Sequence, residues 1–211
     1  MDFVLVLHSH LPGVLGHGRW PHGSDWLCEA AVDTYLPLLE QLRALEAEGI
    51  PAPASIGITP VLANQLASPL FAEELRDFLA QRLRTCDEAP ASLRATGDDH
   101  LLPLVGYWRE RLQRLSALFD ALDGDLPGAF RGLADRGRIE LIGSAATPGY
   151  LPLLARDESI RLQLLLGAAE HARIFGRPPT GCWLPECAYR PAGPWARRAD
   201  QIGRASCRER V

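Results

Sequence analysis

FVLVLHSHLP, residues 3–12, begins as an unbroken apolar run and ends in two histidines and a proline. The run does not alternate between apolar and polar residues. Both of its faces are therefore expected to be buried, as in a parallel strand covered by helices on either side. Three further runs have the same form, at residues 54–58, 139–142 and 182–184. Helical patterns fill the spaces between them. Leu27, Ala31, Tyr35, Leu38, Leu42 and Leu45 form one stripe, with Ser24 or Asp25 as its cap and Gly49 as its stop. Pro37 falls inside this stripe and is expected to kink or split the helix. Leu104, Trp108, Leu112, Leu115, Phe119 and Leu122 form a second stripe. Ile160, Leu164, Ala168, His171 and Phe175 form a third, between Asp157 as cap and Gly176 as stop. Residues 70–83 form a further amphipathic helix, and 86–99 and 123–128 are expected to be loops. Strands alternating with helices give an α/β fold built on a parallel sheet.

Right-handed crossovers bring the carboxyl ends of such strands to one side of the sheet. The segments that follow the four runs are HSHLP, TPVL, GSAATPGYLPLL and PECAYRP. Polar and aromatic residues thus collect at the edge where α/β enzymes keep their sites. In the last segment, Glu186 follows a buried run and has Arg190 beside it. A carboxylate held ionised there could attack a sugar's anomeric carbon, with Trp183 and Tyr189 offering flat faces to the ring. A loop acid paired structurally with Arg190 is the competing reading. His8 and His10 share one side of their strand, so they could bind a metal or donate to a ligand hydroxyl. A metal would want a third ligand, for which Asp25, His17 or His22 are candidates. GHGRWPHGSDW, residues 16–26, is a Gly-rich loop whose Trp20 and Trp26 suit carbohydrate stacking as well as packing.

Composition narrows the classes. The chain has 211 residues, enough for a sizeable core, and a net charge of −4, which gives no reason to expect nucleic acid or an anionic membrane as partner. All 22 basic residues are Arg, so Schiff-base lysine chemistry is excluded for these residues. Five scattered cysteines fit reduced thiols in a cytoplasm, and Cys182-x4-Cys187 is too isolated for a zinc half-site. The first apolar run is too short for a signal peptide or a membrane span. No GxGxxG or phosphate-loop motif is present, and Ser9 and Ser144 lack a nucleophile-elbow setting. The stretch IGRASCRERV, residues 202–211, has no apolar periodicity and resembles the translation of a sequencing adapter. It is expected to be a non-native tail, with residues 1–201 as the natural portion.

HSHLP, GITPVLANQLA, IELIGSAATPGYLPLL and WLPECAYRP, in that order, resemble the N-terminal part of glycoside hydrolase family 57, most closely its 1,4-α-glucan branching subgroup. The resemblance implies the first half of a distorted (β/α)7 barrel, without cofactor or catalytic metal. It implies a retaining transglycosylase acting on an α-1,4-glucan, glycogen or amylose-like, in the cytoplasm. Glu186 then corresponds to the nucleophile, His10 to a residue that hydrogen-bonds the reacting sugar, and Trp20 and Trp26 to tryptophans lining the glucan groove. Retention requires a second carboxylate about 5–5.5 Å from the first. The family draws it from a later barrel segment, so these residues alone are expected to be inactive. Where the subgroup usually carries a His near the sugar, this chain has Pro148. Within the family, a 4-α-glucanotransferase or an α-amylase is the alternative. Outside it stand a metal-dependent polysaccharide deacetylase-like barrel using His8 and His10, and a non-catalytic glucan-binding module.

Overall fold

A computed structural model describes residues 4–51, 53–154, 156–189 and 191. Its elements run β1 (Val6–Ser9), α1 (Ser24–Ala30), a π-helical turn (Ala31–Tyr35), α2 (Leu36–Ala47), β2 (Ser55–Ile58), α3 (Pro60–Leu66), α4 (Pro69–Thr96), α5 (Leu102–Ala121), α6 (Leu126–Asp135), β3 (Glu140–Ile142) and α7 (Asp157–Phe175). Short 3-10 turns occupy Asp99–Leu101, Leu151–Leu153 and Pro185–Cys187. The strands form a parallel sheet in the order β1-β2-β3. The expected class, parallel strands with interleaved helices, is therefore the observed one.

The chain divides into two compact units. The described residues of 1–13, 52–64 and 131–211 form a sheet unit; residues 14–51 and 65–130 form a helical unit.

In the sheet unit, Val6, Leu7, His8 and Ser9 pair with Ser55, Ile56, Gly57 and Ile58. Ser55, Ile56 and Gly57 pair in turn with Glu140, Leu141 and Ile142. Ile56, Ile58, Leu141 and Ile142 are buried, as an unbroken apolar run requires when both faces are covered. The run at 182–184 falls short of expectation. Among the described residues it contributes a single bridge, Gly143 to Cys182, closed by Gly143 N–H to the Gly181 carbonyl and Trp183 N–H to the Gly143 carbonyl. Pro185 ends the pairing, because it has no N–H to give to a ladder. Helix α7 starts at Asp157 and stops at Gly176, which adopts φ +78. Arg156 takes the cap position and Asp157 lies inside the first turn, where its carboxylate meets the helix dipole. The middle of α7 lies directly on a strand-end segment: a Cβ on Gly167 would sit 2.1 Å from the Ser144 carbonyl oxygen.

In the helical unit, Pro37 lies in the first turn of α2, and the expected break takes the form of a π-helical stretch between α1 and α2. The proline withholds one N–H and its ring crowds the carbonyl four residues back. The preceding turn widens into the π-helical stretch Ala31–Tyr35, and the helix continues to Ala47. Gly49 closes it with φ +70, as expected. Helix α4 corrects the expected loop at 86–99, running through Pro90 to Thr96 and stopping at Gly97. Ala, Leu, Arg and Glu on both sides of Pro90 have strong helix propensity, and buried Phe71, Leu75, Phe78 and Leu79 anchor the first half. Arg109 of α5 reaches Asp87 of the second half at 3.0 Å. Leu112, Leu115 and Phe119 bury one face of α5, and the Phe119 ring meets the Phe71 ring edge-on at 6.2 Å.

Candidate active site

The candidate site of the sheet unit lies where the strands end. His8 is the third residue of β1 and His10 follows its last, so a period of two puts both on one side. The neighbouring strand makes room for them. Opposite His8 is Gly57, where a Cβ would lie 3.4 Å from the His8 ring nitrogen Nδ1 and 3.5 Å from Ile142. One step beyond the last registered pair, His10 Nδ1 is 3.0 Å from the Thr59 hydroxyl. The ladder bond from Thr59 N–H to the Ser9 carbonyl, 3.1 Å, carries the pairing to this level.

Trp183 stacks on His8, with ring centroids 6.0 Å apart and planes 29° from parallel. The buried Ser144 hydroxyl donates to the Trp183 carbonyl at 2.9 Å and fixes the segment that leads into Glu186. Glu186 then takes φ +57, ψ +23, and Cys187 takes φ +53. Two successive residues with side chains in the left-handed region cost of order 1–3 kcal/mol each, a strain concentrated at functional positions. The turn leaves the Glu186 side chain exposed, next to the histidines. Burial lowers the pKa of His8, against the opposing pull of the Glu186 carboxylate. His10 is lowered by burial and then by His8, again with Glu186 opposing. Both rings thus favour the neutral form, in which one nitrogen donates and the other accepts. The site can offer a carboxylate oxygen, imidazole N–H donors and an indole face within one small region.

Tyr189 is 66% exposed, and its N–H is taken by the Cys187 carbonyl. Arg190, the expected partner of Glu186, lies outside the described residues, as do residues 192–211. Pro148 is half-buried beside Thr147, whose N–H and hydroxyl both bond the Gln163 side chain of α7. Among the described residues, no three of His, Cys, Asp or Glu stand together to hold a metal ion. Their cysteines, Cys28, Cys86, Cys182 and Cys187, are free. None of their helices is long and apolar enough to cross a membrane.

Trp20 and Trp26 belong to the helical unit. Their Gly-rich loop is tied down. Ser24 and Asp25 donate backbone N–H groups to the Gly18 and Arg19 carbonyls, and the Arg19 guanidinium meets Glu74 at 3.3 Å and Asp77 at 3.5 Å. Trp20 is 77% exposed at the tip, and Trp26, beside the His22 ring, is 42% exposed. Thr59 and Gly57 are site residues that sequence reading passes over, and it weighs Ser144 only as a nucleophile. Thr59 and Ser144 stood in segments singled out at strand ends and Gly57 in the run before one, but their use depends on register.

Comparison with known proteins adds what geometry alone does not. The family model described as glycosyl hydrolase family 57 matches residues 4–197. A 1,4-alpha-glucan branching enzyme of Thermococcus kodakarensis is 42% identical over 192 residues, which are 91% of this chain and 28% of the relative. A probable 1,4-alpha-glucan branching enzyme of Mycobacterium tuberculosis is 35% identical over 205 residues, 90% of this chain and 38% of that one. Among solved structures, the GH57-type branching enzyme of Pyrococcus horikoshii superposes with a TM-score of 0.85 at 42% identity, covering 91% of this chain and 36% of that chain. The α-amylase AmyC of Thermotoga maritima gives 0.80 at 25% identity, covering 89% and 36%. This chain spans about a third of the length of the relatives it matches. With the family model covering nearly all the described residues, the chain belongs to glycosyl hydrolase family 57 and forms part of a (β/α)7 barrel.

Proposed function

We propose that this chain is the nucleophile-bearing part of a retaining 1,4-α-glucan branching enzyme. One observation carries the reading: Glu186 is presented in a left-handed turn beside His8, His10 and Trp183, at the strand ends of a barrel family that acts on glycosidic bonds. The names of the relatives support the substrate class. In the proposed reaction the Glu186 carboxylate attacks the anomeric carbon of an α-1,4-linked glucose. The bond to the glycosidic oxygen breaks, and that oxygen takes a proton from a second carboxyl group. The glycosyl ester on Glu186 is then attacked by the 6-hydroxyl of another chain, which returns its proton to the same acid/base. The second carboxyl would come from the portion of the relatives that this chain does not span. His10 would donate a hydrogen bond to the reacting sugar, and Trp183, Tyr189, Trp20 and Trp26 would contact the glucan. The same reading extends to a cytoplasmic role in glycogen-type synthesis, in keeping with the free thiols.

The test is a chimera in which this chain replaces the matching segment of the T. kodakarensis relative. Incubated with amylose, it is expected to form α-1,6 linkages, counted by NMR. Glu186→Gln should reduce turnover by at least about 10³-fold while glucan binding survives. A folded chimera that only hydrolyses or extends α-1,4 chains would move the assignment to an α-amylase or 4-α-glucanotransferase. Turnover that survives Glu186→Gln would end the nucleophile assignment.

A further inference from the structure

We propose that Thr59 is a positioning residue that holds His10 in the tautomer with its proton on Nε2, so that a fixed N–H donor is presented at the site. The role proposed for that donor, contact with the reacting sugar, rests on the reading above; the tautomer does not.

The argument starts from burial. Thr59 is 2% exposed, and among the described residues its hydroxyl has one hydrogen-bond partner, His10 Nδ1 at 3.0 Å. Two arrangements satisfy that distance. If Nδ1 carried the proton and donated, the buried Thr59 O–H would have no acceptor, a loss of about 1–3 kcal/mol. If the hydroxyl donates, Nδ1 accepts and both groups are satisfied. The ring proton must then lie on Nε2.

Backbone geometry makes the contact rigid. The ladder bond from Thr59 N–H to Ser9 seats Thr59 directly across from His10, and its branched side chain has few rotamers. The rest of the environment works in the same direction. The charged and titratable groups that act on His10 are His8 on the strand just before it and Glu186 on the segment after Trp183. Burial and His8 keep the ring neutral against Glu186, and a neutral ring is the state in which a tautomer choice exists at all. Gly57, one pleat away, leaves His8 its space. On β2 and the residue that follows it, then, the two positions facing the histidines divide the work: one gives room and the other gives direction.

The experiment is a long-range proton–nitrogen correlation spectrum of the 211-residue chain labelled with ¹⁵N-histidine, recorded above pH 7, with His10 assigned by its loss in His10→Gln. A protonated-type Nε2 and an unprotonated-type Nδ1 are expected. A proton on Nδ1 in the unmodified chain overturns the proposal without any variant. Thr59→Val should remove the preference and Thr59→Ser should restore it; an unchanged tautomer in Thr59→Val also overturns it. In the chimera, Thr59→Val should lower kcat roughly 10- to 100-fold with little change in KM. An unchanged kcat in an otherwise active chimera would refute the positioning role. A chimera that never branches, alongside the expected tautomer, would count against the branching reading and leave the Thr59–His10 assignment standing.

Discussion

The sheet unit and the helical unit are held together by different means. In the helical unit, side chains do most of the holding. Phe71, Leu75, Leu115 and Phe119 are fully buried, and Arg pairs with carboxylates across neighbouring helices, Arg114 with Glu40 at 2.6 Å and Arg82 with Glu29 at 3.3 Å. In the sheet unit the main chain does more. Strand ladders, a one-residue bridge, a helix backed onto a carbonyl and two buried hydroxyls fix the segments that carry chemistry. A unit held by apolar area tolerates small shifts. A unit held by backbone contact places a side chain accurately and tolerates little.

The largest effect is expected where side-chain packing dominates. Phe119→Ala removes a fully buried ring and should cost about 3–5 kcal/mol, read as a lower denaturant midpoint. A loss under about 1 kcal/mol would mean that the helical unit does not rest on this cluster. Next comes one substitution made in both units. Gly167→Ala puts a Cβ into the Ser144 carbonyl and should cost about 3 kcal/mol. Gly106→Ala in α5, where a Cβ meets open space, should stabilise by about 0.5–1 kcal/mol. Equal effects at the two positions would erase the contrast.

A pH series sharpens it further. His171 is buried, its Nδ1–H donates to the Arg177 carbonyl, and burial holds its pKa below that of a free histidine. His8 and His10 are shifted the same way. The unfolded chain takes up these protons near pH 6.5, while the folded chain does so only at lower pH. Stability should be full above about pH 7 and fall as the pH drops through about 6.5. Thermal midpoints from pH 8 to 5 check this, and His171→Leu should flatten the slope. A midpoint that rises on acidification would contradict the sign. The smallest effect is expected for Arg114→Ala, an exposed pair worth under about 1 kcal/mol and less in high salt.

The architecture was largely legible in the sequence, because burial on two faces writes unbroken apolar runs and burial on one writes stripes. The runs at 54–58 and 139–142 became β2 and β3 nearly residue for residue, and the Leu104–Leu122 pattern became α5. The helical course of 86–96 was not legible, because α4 is held there by neighbours such as Arg109 against Asp87, and packing is not a local property. The candidate site was legible as a gathering of residue types at strand ends. Its wiring was not. Thr59 meets His10 across 49 positions of sequence and Ser144 meets Trp183 across 39, and both meetings follow from strand register.

The contact at Gly167 has a consequence for how this sequence can drift. At Gly167 helix α7 meets its neighbour by shape, main chain against main chain, with no side chain as intermediary. A saturation library across α7 should therefore show an intolerant column at a residue that carries no chemical group, within two turns of permissive ones at the exposed Leu162, Leu165 and Leu166. Such a column would resemble the imprint of a catalytic residue, though its cause is only the space a hydrogen atom occupies.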